Sequence, residues 1–291
     1  MDTRLLAAFV QVADQQSFSQ AALSLHLSQP AVSKRIAALE AQVGRALFDR
    51  VGREIVLTEP GRTLLPHARQ VLRELENGRR ALASLSGRVA GRLSVGISHH
   101  IGLHRLPPLL REFVGHYPDV ELDMHFVESE QGCRAVEHGH LELALVTLPA
   151  NDATLQSLQV WPDPMRIAIA GDHPLAAELA PDTAELLRYP AVLPDRNTFT
   201  HALIASAFRE QGLQPRVLLT TNYLETIKML VGVGLGWSVL PVAMIDDGLR
   251  ALDMGLQVQR RLGAVWHPQR SRSNAARALL NLLGSAAAPL P

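Results

Sequence analysis

Residues 20–26 and 29–39 read as two short helices separated by about three residues, and this spacing limits the fold more than any other feature of the chain. Ser19 precedes the first helix, whose Ala21, Ala22, Leu23 and Leu25 supply small and apolar contacts. Ser28 can cap the second, because its hydroxyl can accept a bond from an orphan amide of the first turn. Pro30 falls in that same turn, where its missing N–H is not needed. Val32, Ile36 and Leu39 give this helix one apolar face and leave Gln29, Ser33, Lys34 and Arg35 on the rest. Ahead of both, Leu5, Leu6, Phe9, Val10 and Ala13 recur at helical spacing until Gln15-Gln16-Ser17 breaks the pattern. The arrangement is a helix-turn-helix, whose second helix fits the major groove of DNA. Leu47-Phe48-Asp49-Arg50, then Gly52, then Ile55-Val56-Leu57 reads as a two-stranded wing with basic residues at its tip.

Charge agrees with that assignment. Lys plus Arg equals Asp plus Glu at 28 each over the 291 residues, yet residues 1–87 carry an excess of basic side chains. Residues 28–53 hold Lys34, Arg35, Arg45, Arg50 and Arg53 against Glu40 and Asp49, so a polyanion would meet this segment. Thr58 can then cap a long helix running to about Ser86. Within it Leu64, Ala68, Val71, Leu75, Gly78, Leu82 and Leu85 alternate in steps of four and three residues, a heptad seam that wants an identical partner helix. Pro66 is expected to kink this helix, and Gly78 is a soft spot.

From Arg92 onward strands alternate with helices. Strands are expected at residues 93–97, 120–126 and 143–146, with helices at 103–116 and 130–138 between them. Val120, Leu122, Met124 and Phe126 alternate with Glu121, Asp123 and His125, the pattern of an edge strand. Residues 162–170 cross into a second unit of the same kind, with a helix near Asp182, strands at 191–193, 216–220 and 237–240, and helices at 200–211 and 224–233. Residues 262–266 return the chain to the first unit, and 275–283 form a final helix there. Two crossings between two α/β lobes with mainly parallel sheets define a hinged cleft.

Composition bounds the setting. Hydrophobic residues make up 47% and charged residues 19%, a globular balance. The single cysteine, Cys133, fits a reducing compartment, and no run of ~18 apolar residues is present, so a cytoplasmic protein is expected, off the membrane. Catalytic patterns fail one by one. Gly96-Ile97-Ser98-His99-His100 lacks the second glycine of a nucleophile elbow. His99, His100, His104, His125 and Cys133 show no pair with the spacing of a known zinc site, so no metal is expected. Gly232-Val233-Gly234-Leu235-Gly236 follows a helix and precedes a strand, the reverse of a dinucleotide fingerprint. A binding cleft, not an enzyme, explains the same residues.

The run Ser17-Phe18-Ser19-Gln20-Ala21-Ala22-Leu23, then Leu27-Ser28-Gln29-Pro30-Ala31-Val32-Ser33, then Ile36-Ala37-Ala38-Leu39-Glu40 resembles the N-terminal signature of LysR-type transcriptional regulators. Gly44, Leu47-Phe48-Asp49-Arg50 and Leu57-Thr58-Glu59-Pro60-Gly61 follow at the family's spacing. Weaker echoes come later, in order: residues 139–144, 173–176 and 234–241. Glu142 stands where the family usually has Asp, and Pro60 replaces a common Ala.

The resemblance implies that Gln29, Pro30, Ser33 and Lys34 face the major groove, with Ser28 and Arg35 beside them. Arg50 and Arg53 in the wing would meet phosphate or a narrow minor groove, and Ser19 a phosphate. It also implies an effector site where three turns converge: Ser98 and His99; Glu128, Ser129 and Thr147; and residues 195–200, with Arg196, Asn197, Thr198 and Phe199. Arg196 is expected to grip a carboxylate, and Tyr223 to close the far wall. No cofactor is expected beyond a small-molecule effector, an organic acid.

These readings combine into an N-terminal all-α winged helix-turn-helix (1–58), a linker dimerisation helix (59–87) and a C-terminal α/β two-lobed periplasmic-binding-protein-like effector domain (88–291). The first lobe takes about 91–161 and 266–291, the second about 162–265. The implied function is a ligand-responsive regulator that binds a double-stranded DNA operator, contacts RNA polymerase and works as a homodimer or homotetramer. The competing reading is a cytoplasmic α/β solute-binding or enzymatic module with an accessory DNA-binding head.

Overall fold

The structure is a computed structural model that describes residues 2–51, 54–84, 87–150, 153–178 and 182–287. The chain divides into two units, Met1–Ser86 and Gly87–Pro291.

In the first unit α1 (Thr3–Gln15), α2 (Phe18–Ser24) and α3 (Gln29–Val43) are followed by β1 (Phe48–Val51), β2 (Glu54–Leu57) and α4 (Glu59–Ser84). Each start carries a cap. Asp2 accepts the Arg4 N–H at 2.8 Å, Ser17 accepts that of Gln20 at 3.3 Å and Ser28 that of Ala31 at 3.4 Å. Ser17, not Ser19, therefore opens α2; Ser19 lies within the helix, exposed in its first turn. The apolar stripes of α1 to α3 meet in a core of Leu6, Phe9, Val12, Ala21, Val32, Ile36, Leu39 and Leu47. The wing pairs antiparallel from Phe48 opposite Leu57 to Val51 opposite Glu54. Thr58 locks the entry to α4: its Oγ1 donates to the Ala46 carbonyl at 2.7 Å and accepts from Gly61 N–H at 3.1 Å. Gly61 is required there, because a Cβ would sit 2.2 Å from the Leu47 carbonyl oxygen.

Helix α4 runs unbroken past Pro66 to Ser84. Its seam does not serve one purpose throughout. Ala68 is buried in the core of its own unit and Leu64 packs against that core, so these two positions have intrachain partners and are not free for a second copy. Val71, Leu75 and Leu82 stay exposed, at 47%, 42% and 70%. Leu85 lies outside the described residues.

The second unit holds β3 (Gly91–Ile97), α5 (His99–His104), α6 (Pro107–His116), β4 (Val120–Phe126), α7 (Ser129–Glu137), β5 (Leu143–Thr147), β6 (Gln156–Ala170), α8 (Thr183–Leu186), β7 (Ala191–Leu193), α9 (Phe199–Glu210), β8 (Val217–Thr220), α10 (Leu224–Gly232), β9 (Ser238–Pro241), β10 (Leu249–Leu252), β11 (Val258–Trp266) and α11 (Asn274–Ala287). The main sheet has the order β10-β6-β11-β5-β3-β4, with β9 also on β6, and β7 pairs β8 separately. As its alternation implies, β4 forms an edge.

The sheet is mixed where a mainly parallel one is expected. β3 pairs β4 and β5 in parallel, and β7 pairs β8 in parallel, but β6 is antiparallel to β9, β10 and β11, and β11 to β5. The reason is connectivity: β6 carries the chain out to the second lobe and β11 brings it back, so the two must run in opposite senses side by side. A bulge interrupts their register between Leu262 and Gly263. Leu262 and Ala264 already pack with Leu93, Ile97, Phe113, Leu143 and Leu279 in the first-lobe core, so the return falls ahead of residue 266. Val258 packs with Met165, Ile167, Phe208, Trp237 and Val239 in the second. The single helix expected at 103–116 is two, because Pro107 and Pro108 lack the amide N–H that a helix continuing from α5 would need, and instead open a new helix, where no such N–H is required. No helix among the described residues is long and apolar enough to cross a membrane.

Candidate functional site

At the start of α3 and along it the expected reading residues are all at least partly accessible. Ser28, Gln29, Pro30 and Lys34 are exposed, while Ser33 and Arg35 are half-buried. Gln29 and Ser33 lie one turn apart, and the Gln29 amide Nε2 donates to Ser33 Oγ at 3.0 Å. That bond holds the amide along the helix and leaves its carbonyl and second N–H for an adenine edge. Arg53 lies outside the described residues, as does the side chain of Arg50.

In the second unit the carboxyl ends of β3 and β5 and the starts of α5, α7, α9 and α10 enclose a cavity. It is lined by Ser98, His99, Glu128, Ser129, Thr147 and Thr198, all expected from the sequence. Its solvent space is about 50 Å³, room for a few water molecules. Ser129 Oγ accepts the Thr147 N–H at 3.0 Å, which ties α7 to the end of β5. Thr198 caps α9, accepting from His201 N–H at 3.1 Å and donating to the Asp195 carbonyl at 2.7 Å.

Three contacts pull the lobes together. Glu130 of the first lobe accepts the Phe199 N–H of the second at 2.5 Å. His104 meets Glu225 at 2.7 Å. The His99 ring stands edge-on to Tyr223 with centroids 5.0 Å apart, so Tyr223 lies at the rim as a lid on His99 and not in the cavity wall.

Arg196 is the main correction. It is exposed and lines a separate hollow on the second lobe with His201, Phe208 and Arg209, because a loop side chain has no strand or helix period to aim it inward. Asn197 is likewise exposed, and the Phe199 ring packs against a first-lobe cluster around Cys133 and Leu148. The guanidinium of the cleft belongs to Arg260, 3% exposed. Its Nε and Nη2 donate to Asp163 Oδ2 at 2.9 and 2.5 Å, and Nη1 reaches Thr200 Oγ1 at 3.5 Å. Arg105 adds a bond to Asp163 Oδ1 at 3.2 Å. Burial opposes the Asp163 charge, but the Arg260 guanidinium bonded to it outweighs burial and holds the carboxyl far below the usual aspartate range.

Sequence reasoning also missed His100, Glu130 and Glu225 as part of this wall. Burial lowers the affinity of His100 for a proton. Burial, then the neighbouring Glu130 charge, raises the Glu128 carboxyl above its ordinary value. The cleft thus combines one paired guanidinium, two imidazoles, hydroxyls and three glutamates.

Two family descriptions match the chain: a bacterial regulatory helix-turn-helix protein of the lysR family over residues 3–62, and the LysR substrate binding domain over residues 86–288. The chain is 31% identical over 266 residues to the transcriptional regulator CfxR of Cupriavidus necator, covering 91% of this chain and 84% of that one. Its fold is similar to that of full-length CbnR in complex with its target DNA (TM-score 0.69, 22% identity, 99% and 100% of the two chains). It is also similar to the effector-binding domain of QuiR in complex with shikimate (TM-score 0.61, 18% identity, 67% and 96%).

Proposed function

The chain belongs to the LysR family of bacterial transcriptional regulators, and we propose that it reads its operator with α3 and senses a small organic acid between the lobes of its second unit. Its relatives are named regulators, and it is a regulator and not an enzyme. The observation that carries the sensing role is the closed cleft: Glu130 to Phe199 and His104 to Glu225 are cross-lobe contacts that a ligand entering the small cavity must loosen or replace. Arg260, with Nη1 on only a long bond to Thr200, offers a charged donor to a carboxylate. Ser98, Thr147 and the glutamates suit hydroxyl groups on the same molecule, in keeping with the shikimate held by QuiR.

Ligand binding would shift the balance between open and closed lobes. In a dimer built on α4, and a tetramer built on the effector lobes, that shift would change the spacing of the reading heads and the contact with RNA polymerase in the cytoplasm. The test is selection of duplex DNA by the full chain from a random pool, followed by a thermal-unfolding screen of small hydroxylated organic acids. One acid should raise the unfolding midpoint and alter the footprint on the selected sequence. Failure to enrich any sequence would overturn the regulator reading, and a screen without a responsive acid the effector class.

A further inference from the structure

We propose that the cleft also binds a divalent transition-metal ion through His100, His104 and Glu225, and that this ion holds the lobes shut. Ligand atoms of the three side chains all lie within 4.8 Å of one another, the one such His/Cys/Asp/Glu group among the described residues. His100 and His104 stand one turn apart on α5 and so project from the same face. Glu225 comes from the first turn of α10, in the other lobe.

A second, independent observation points to a missing partner. His100 is only 7% exposed, and neither of its ring nitrogens has a hydrogen-bond partner. A buried imidazole left in this way requires an explanation, and a bound ion is one. Asp163 Oδ1 lies 3.8 Å from His100 Nε2, beyond hydrogen-bond distance.

Two imidazoles and one carboxylate suit zinc or a neighbouring first-row ion, whereas calcium and magnesium prefer all-oxygen sets. Three protein ligands leave a position for water or for an oxygen of the effector. The ion's own charge would offset Glu128 and Glu130 nearby. Because the ligand set is split between lobes, it is complete only when they close, so the ion favours the closed state and shifts the population toward it. The binding claim stands on the side chains alone; its regulatory consequence rests on the proposed function above.

The test uses the full chain, stripped with chelator and dialysed against Zn²⁺. About one ion per chain should remain by elemental analysis, with a raised unfolding midpoint, and Co²⁺ in its place should give visible absorption bands. His104 and Glu225 are partly exposed, so H104Q and E225Q should keep the fold by circular dichroism yet bind at least ~10-fold more weakly. H116A, on exposed α6 surface, should bind as the wild type does. Loss of all zinc on dialysis, or retention of wild-type affinity in H104Q and E225Q, would overturn the site. Affinity for selected DNA should then change with zinc in the wild type and not in H104Q; equal affinity with and without zinc would overturn the lobe coupling. Absence of any sequence-specific DNA binding would count against the regulator reading alone, since dialysis decides the ion separately.

Discussion

Asp163 and Arg260 face each other directly across β6 and β11, the two strands that carry the chain between lobes, and form a buried ion pair at their crossing. A register slip of one residue between the strands would turn Arg260 to the face opposite Asp163 and part the charges, so the pair fixes how the strands align as well as where the guanidinium points. Asp163→Asn leaves Arg260 buried without a counter-charge, a change that costs about 3–5 kcal/mol in such sites. Replacing both, as Asp163→Leu with Arg260→Met, should restore much of that stability while abolishing the effector response. Denaturant unfolding decides it: equal stability of Asp163→Asn and wild type would show that the pair does not hold the crossing.

The same pair sets an acid limit. The Asp163 carboxyl is held below its ordinary 3.8, so the folded state keeps it ionised to lower pH than the unfolded chain does. The stabilisation is fully present above pH ~4 and is lost as pH falls below that value toward the folded-state titration. Glu128 works in the other sense. Its raised carboxyl favours the folded state at low pH, and that advantage disappears as pH rises past the ordinary 4.5. Glu128→Gln should therefore gain stability relative to wild type as pH is taken from 4 to 7. Unfolding midpoints across that range would show the two curves converging toward acid; parallel curves would contradict the assignment.

At the DNA end, Gln29→Ala and Ser33→Ala should each relax base preference, by about 1–3 kcal/mol for a lost bidentate contact. They should also be less than additive, because the Gln29–Ser33 hydrogen bond makes each side chain a support for the other. Lys34→Ala should instead weaken binding to all sequences and flatten its salt dependence. Footprints with unchanged sequence preference in both Gln29→Ala and Ser33→Ala would remove α3 from the major groove.

How far these features could be read in advance depends on how local their cause is. The helix-turn-helix was legible because caps such as Ser28 and periodic stripes such as Val32, Ile36 and Leu39 act within a few residues. The turns at Ser98, Ser129 and Thr198 came through the family resemblance, and the structure brings them together around one cavity. Arg196 was misplaced because it sits in a loop, whereas Arg260 follows the alternation of β11 between inward Val258 and Leu262 and could have been placed by that period. His100 and His104 stand four residues apart, yet on the sequence they match no known zinc site and no metal is expected of them. Glu225, which meets His104, lies 121 residues beyond it, and only the closing of two lobes makes the two neighbours.

The exposed part of α4 yields the last prediction. Leu64 and Ala68 are spent on the core of the first unit, so a partner helix has Val71, Leu75 and Leu82 to bury. These fall at heptad spacing along one face and suit a coiled-coil contact with a second copy. Leu75→Asp would place two like charges opposite each other in that contact, where burial of unpaired charge is costly. Being exposed within its own chain, Leu75 can take the substitution without loss of the monomer fold, so helicity should stay near wild type. Sedimentation should show the mutant lighter than wild type at micromolar concentration, with weaker binding to a two-half-site operator and little change on a single half-site. Ala68→Asp should unfold the first unit instead, since that residue is already buried. A Leu75→Asp variant that sediments as the wild type would mean that copies of the chain associate through another surface.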